Sequence, residues 1–271
     1  MNKFHTGFAA TLMLSAAVFF TSCHKDEVID GFGDLVIEID NIAGSSSLTF
    51  GSKYVTANGD TVQFSTFNYY VSNFVLVNED GSEYVVPKDS SYFLCKHDDA
   101  ASRELTLRNV PAGNYKAIKF TIGVDSLKSV SPAGERLGVL DPTGGAAGMY
   151  WSWNSGYIFV KVEGTSPQAP ADPNTGERTI EYHTGLFGGK DSPTLNNIRS
   201  VQINADEESA RVRKDHEAPV FHLYVDILEM FTSPVNINVA LNPTSHGGPY
   251  SANVANNYAD MFSLAHVHND H

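Results

Sequence analysis

The sequence predicts an all-β fold, an antiparallel β-sandwich with long functional loops and only short helical turns. Three observations carry that expectation. Leu35, Ile37 and Ile39 alternate with Val36, Glu38 and Asp40, the period of two expected of a strand with one buried face. Runs rich in β-branched and aromatic residues recur along the chain, punctuated by turn-forming residues. No segment holds an apolar period of 3.6 for long enough to make a major helix.

Beyond the first strand, such runs fall at Phe67–Val77, Glu104–Arg108, Tyr115–Val124, Tyr157–Val162, Ile198–Asn204 and Val220–Ile227. Asp80-Gly81 supplies a turn between Phe74–Asn78 and Glu83–Val86. Asn109-Val110-Pro111-Ala112-Gly113-Asn114 has the chemistry of a type I turn and predicts a hairpin joining Glu104–Arg108 to Tyr115–Val124. Short helical turns are expected at Asp226–Phe231 and Asn257–Phe262. The Pro- and Gly-rich loops at Ser129–Gly148 and Gly164–Glu177 have neither the length nor the composition of a linker, so residues 34–271 read as a single domain.

Residues 1–22 read as an export signal, with Lys3 at the start and an apolar run at Phe8–Phe20 too short for a membrane span. Phe20-Thr21-Ser22-Cys23 resembles the lipobox of bacterial lipoproteins, which makes Cys23 the acylated first residue and 23–33 a tether. His24-Lys25-Asp26-Glu27 resembles the acidic surface-export signal of Bacteroidetes lipoproteins. The expected location is the cell envelope, as an outer-membrane lipoprotein facing the periplasm or the exterior. Lys and Arg number 18 against 31 Asp and Glu, a net charge of −13 at pH 7 with His neutral. That balance argues against nucleic acid and against anionic headgroups, leaving the acyl chains as the anchor. With Cys23 lipidated, Cys95 stands alone in the strand-like Tyr92–Cys95 and reads as a buried small hydrophobe. About 250 mature residues can bury a core without disulfide staples.

The chain carries no G-x-S-x-G elbow, H-E-x-x-H helix, P-loop or dinucleotide fingerprint, and the expectation is that it is not an enzyme. Asp125, Asp141 and Asp226 lack the spacing of an acid–base pair. Asp125 and Asp141 are expected to organise loops through hydrogen bonds to backbone. Asp172–Glu177 reads as a solvated turn rather than a calcium loop. Two features remain. Gly148–Gly164 holds both tryptophans, Trp151 and Trp153, with Met149, Tyr150, Tyr157 and Phe159. Its first half is a Gly-bounded aromatic loop, costly to bury without partners for the indole N–H groups. The histidines are the second feature. His266 and His268, two apart on an extended segment, share one face and fit either a metal clamp or an exposed tail. His222 falls on the face of its strand with Tyr224 and Asp226, opposite Phe221, Leu223 and Val225. His183 precedes a Gly-rich turn and His246 a Gly-Gly pair, whereas His24, His97, His216 and His271 read as surface residues.

Four stretches together resemble the MbnP-like copper-binding family, named for a periplasmic protein associated with methanobactin operons. They are Phe67–Phe74, Ile122–Asp125 with Leu140–Pro142, Gly148–Gly164, and Asn257–Phe262 continuing through His266–Asn269. The resemblance implies an extracytoplasmic β-sandwich that binds copper through histidines. His266 and His268 match its C-terminal histidine motif; His183, His222 and His246 are further candidate ligands. It also implies, from methanotroph relatives, oxidation of a tryptophan to kynurenine by a di-haem partner resembling cytochrome c peroxidases. Here Trp151 and Trp153 are not followed two positions later by histidine, which departs from that pattern and leaves an unmodified aromatic lid as the other reading. Imidazole ligands suit copper, as Cu(I) or Cu(II), or alternatively zinc. Met149, Met230 and Met261 fit either soft auxiliary ligands or core. The implied function is copper capture, storage or delivery. The alternative is a surface module that uses Tyr150, Trp151, Trp153 and Tyr157 as an aromatic platform for a glycan or peptide.

Overall fold

A computed structural model describes Met1 and residues 29–151, 156–205 and 207–269. The export signal, Cys23, residues 24–28 of the tether, Trp153, His24 and His271 lie outside the described residues. Among the described residues the strands are β1 (Phe32–Ala43), β2 (Ser46–Ser47), β3 (Lys53–Val55), β4 (Thr61–Asn78), β5 (Glu83–Val85), β6 (Tyr92–Lys96), β7 (Glu104–Pro111) and β8 (Gly113–Ile122). After helix α1 (Ser126–Val130) follow β9 (Tyr150–Trp151), β10 (Gly156–Thr165), β11 (Thr179–Gly185), β12 (Arg199–Asn204), β13 (Ala210–Val212), β14 (Val220–Asp226) and β15 (Thr244–Ser245). Helix α2 (Ser251–Tyr258) and β16 (Phe262–His268) close the chain. No helix among the described residues is long and apolar enough to cross a membrane.

The smaller sheet runs β16-β14-β1-β2 with β7 also on β1; the larger runs β12-β8-β4-β10-β11-β15, carrying β3, β5, β6, β9 and β13 on its members. The alternating residues of β1 and β14 supply the inner face of the smaller sheet. Leu35, Ile37, Ile39, Phe221, Leu223 and Val225 are buried in one core with Tyr69, Val71, Phe120, Val160, Val162 and Tyr182 of the larger sheet. Each such side chain contributes about 1.5–3 kcal/mol of burial, which makes this interface the main source of stability. The all-β sandwich expectation holds, with one difference. β1 and β14 pair in parallel, Ile37 opposite Phe221 and Ile39 opposite Leu223, so the sheet is mixed. Both strands are apolar on alternate positions, and that pattern does not encode direction.

The predicted 109–114 hairpin does not form. β7 pairs with β1 in the smaller sheet, whereas β8 pairs with β4, β12 and β13 in the larger one. The Pro111–Gly113 turn therefore carries the chain between layers, because each strand finds a longer partner in its own sheet. Asp80-Gly81 does join paired strands, with Val75 opposite Val85. Both expected helical turns form, the second as the end of α2 running into a 3-10 turn at Ala259–Met261, but their bounds differ. Only Glu229–Phe231 is helical within 226–231, as a 3-10 turn, and α2 starts at Ser251, before the expected Asn257. Asn253, Asn256 and Asn257 are weak helix formers and mask the i, i+4 pair Val254 and Tyr258, both fully buried.

A second apolar cluster lies on the outer face of the larger sheet. Residues of the 124–151 excursion, Val124, Leu140, Ala146 and Met149, cover Tyr70, Leu94, Tyr157, Phe159 and Phe187 there. This double cover explains why Tyr69 and Tyr70, adjacent on β4, are both fully buried, one on each face. Asp125 caps α1 by accepting from the Lys128 amide and also accepts from Tyr92 Oη; Asp141 accepts from the Thr143 amide. Cys95 is fully buried, and Met149, Met230 and Met261 are core side chains. Asp172 folds its own turn by accepting from the Asn174 and Thr175 amides.

Candidate metal centre

The five candidate histidines do not converge. They form two groups, on the outer faces of the two opposed sheets. On the larger sheet, alternation along β11 turns Ile180 and Tyr182 into the core and Glu181, His183 and Gly185 outward. β15 then pairs in parallel with β11, Glu181 opposite Thr244 and Tyr182 opposite Ser245, which delivers the next residue, His246, beside His183. The two rings are 4.6 Å apart between centroids.

A carboxylate lies beside each of these imidazoles, and for His183 it is a hydrogen-bond partner. His183 Nε2 is 2.8 Å from Glu163 Oε1, and His246 Nε2 is 3.4 Å from Glu181 Oε2. An ionised carboxylate only accepts, so Nε2 of His183 carries the proton and its Nδ1 presents the lone pair in the neutral ring. This is the orientation in which protein carboxylates prepare histidines for metal ions. Burial pushes His183 below the ordinary imidazole range, with His246 and Lys161 adding to the effect against the hydrogen bond to Glu163. Burial opposes the charged form of Glu163 as well. Hydrogen bonds from Thr66, Lys161 and His183 outweigh it and keep that carboxyl below its usual range. Near neutrality the pair is thus an uncharged imidazole on an ionised carboxylate. A cleft of about 670 Å³, lined in part by Phe50, Gln63, Glu163 and Glu181, opens beside it.

The aromatic loop meets the same face. β9 pairs with β10, Trp151 opposite Gly156, and this two-residue strand replaces part of the expected loop. The Trp151 ring lies over Gly185, two residues along β11 from His183. A Cβ at Gly185 would stand 2.9 Å from Trp151 Cζ3 and 2.3 Å from the Tyr157 carbonyl oxygen, so only glycine admits the ring there. Trp153 lies outside the described residues, and Tyr157 is not exposed enough to serve in the expected aromatic platform. Tyr157 is fully buried and donates to the Leu140 carbonyl, while Tyr150 packs edge-on against it at 5.2 Å and binds Arg136.

On the smaller sheet His222 of β14 is the direct partner of His266 on β16, with ring centroids 4.8 Å apart. His222 Nε2 lies 3.1 Å from Asp40 Oδ2 on β1. His268, opposite Val220, projects from the same face as His266. His97, expected at the surface, is instead half-buried against the Phe50 ring at 4.4 Å and 3.4 Å from Asn41 Nδ2. Among the described residues, no three His, Cys, Asp or Glu side chains are already arranged around one metal position. The sequence reading missed Glu163, Glu181 and Asp40. Alternation marks each as outward, but only strand pairing shows that each faces a histidine.

A search of curated proteins finds no match to this chain. Among solved structures, MbnP from Methylosinus trichosporium aligns over 80% of this chain and 81% of its own, at 17% identity and a TM-score of 0.47. The family model MbnP matches residues 32–248, most of the chain. The chain belongs to the MbnP family.

Proposed function

We propose that this protein is an envelope lipoprotein, anchored through Cys23, that binds copper for capture, storage or delivery, and that His183 and His246 are its copper ligands. The supporting observation is the juxtaposition of two imidazoles, rings 4.6 Å apart and one of them oriented by Glu163, on the sheet face that the Trp151 ring covers. Two imidazole nitrogen donors, with no third ligand already in place among the described residues, suit Cu(I), which accepts low coordination numbers. When bound, copper would supply the redox-active centre; the chain's part is to place two imidazoles side by side, to keep His183 neutral and to limit solvent on one side with Trp151. Oxidation by a di-haem peroxidase-class partner would act on Trp151 or Trp153, of which Trp151 lies on the face of this pair.

The test is metal analysis with intact mass on the full chain purified from copper-supplemented cells. One copper per chain is expected, together with its loss in a His183→Ala, His246→Ala double variant that keeps the wild-type circular dichroism spectrum. Copper retained by that variant would remove these residues as ligands. A mass equal to the unmodified sequence after acylation would dismiss tryptophan oxidation while leaving copper binding standing.

A further inference from the structure

The smaller sheet carries a histidine constellation that the copper reading above does not use. β14 is flanked by β16 on one side and β1 on the other, and the outward positions of all three strands meet at His222. His266 stands directly across on β16, Glu38 directly across on β1, and Asp40 reaches His222 Nε2 at 3.1 Å. His268 follows His266 on the same face, diagonal to His222, and both are exposed. A β-bulge between His222 and Leu223 leaves Ala265 without a partner in the register and sets His266 opposite His222.

We propose that His222, His266 and His268 form a second metal site, for a divalent cation of the zinc class, on the face of the sandwich opposite the copper pair. The geometry is that of two donors from an His-x-His strand and a third from the neighbouring antiparallel strand. Outward Cβ atoms of facing residues on paired strands are about 4.5–5.5 Å apart, within the reach of imidazoles sharing one ion at about 2.0–2.1 Å per bond. Asp40 accepts from His222 Nε2 and leaves Nδ1 as the ring's donor atom, the part that outer carboxylates play in zinc sites. The rings of His222 and His266 are already adjacent at 4.8 Å, and His268, two positions along β16 on the same face, is the third donor. The ligand class follows from charge as well as donor type. Glu38 and Asp40 place two carboxylates beside three imidazoles, and Arg103, 3.9 Å from Asp40, is a single counter-charge. A divalent ion neutralises that field better than Cu(I) does, and borderline imidazole donors with an open fourth position suit zinc.

The experiment is a zinc titration by isothermal calorimetry on the full chain carrying His183→Ala and His246→Ala, so that the copper pair contributes nothing. One zinc per chain is expected. Adding His266→Ala should weaken zinc binding at least tenfold, and Asp40→Asn, which keeps the hydrogen bond but removes the charge, should weaken it less. Two-dimensional imidazole NMR should show the His222, His266 and His268 signals shifting together on zinc addition. No zinc uptake, or uptake unchanged by His266→Ala, would overturn this site. Neither result bears on copper at His183 and His246, which the metal analysis above reads separately.

Discussion

At the scale of single residues, the copper proposal depends on how Gly185 and Trp151 fit together. The ring can lie over β11 beside His183 only because position 185 has no Cβ. Gly185→Ala should destabilise the protein by about 1–3 kcal/mol through overpacking and lift the ring from the sheet. In a Trp153→Phe background this should appear as red-shifted tryptophan emission, with weaker copper binding although both histidines remain. Emission at the wild-type wavelength would mean that the ring does not rest there. The carboxylates matter at this scale also. Glu163 selects which nitrogen of His183 is protonated, a choice the histidine alone does not make.

At the scale of elements, the return of the chain from β14 to β16 decides where His246 lies. The 226–250 segment has little regular structure, yet it must deliver β15 to the edge of β11. Asn257 on α2 secures it. The Asn257 amide, fully buried, accepts from the Val235 N–H and donates to the carbonyls of Met230 and Val235. Asn257→Ala removes the partner of one buried and two part-buried backbone groups, at about 1–3 kcal/mol for each group that water cannot reach. A loss of about 3 kcal/mol is expected, read as a lower urea midpoint with an unchanged m-value. A shift under 0.5 kcal/mol, on the same analysis, would show that the segment holds itself in place.

At the scale of the molecule, the two histidine groups sit on opposite outer faces, with the main core between them. Proton competition acts on the copper pair through His183. Its folded value is held below the ordinary imidazole value of about 6.5, so below that pH the unfolded chain binds more protons than the folded one. Its contribution to stability is therefore complete above about pH 6.5 and is lost as pH falls through the lower folded value. Copper affinity should decline over the same acidic range, because the ligating ring must be neutral. Affinity that stays constant from pH 7.5 to pH 5, measured by competition with a chromogenic chelator, would rule out imidazole ligation.

The sequence by itself determined the all-β class, the inward faces of β1 and β14, the buried Cys95, the loop-building roles of Asp125 and Asp141, and the histidines worth watching. These are local properties: alternation, side-chain size and turn chemistry act within a few residues of one another. Only the tertiary structure decided that β1 and β14 run parallel, that β7 and β8 part into different sheets, and that His183 meets His246 while His222 meets His266. His183 and His246 are 63 positions apart, and no pattern along the chain specifies which edge strand β15 will join. Pairing is settled when whole sheets compete to bury their apolar faces, and the outward residues are carried along with it. The polar faces on which metal would bind are thus placed by the choices of the apolar faces beneath them.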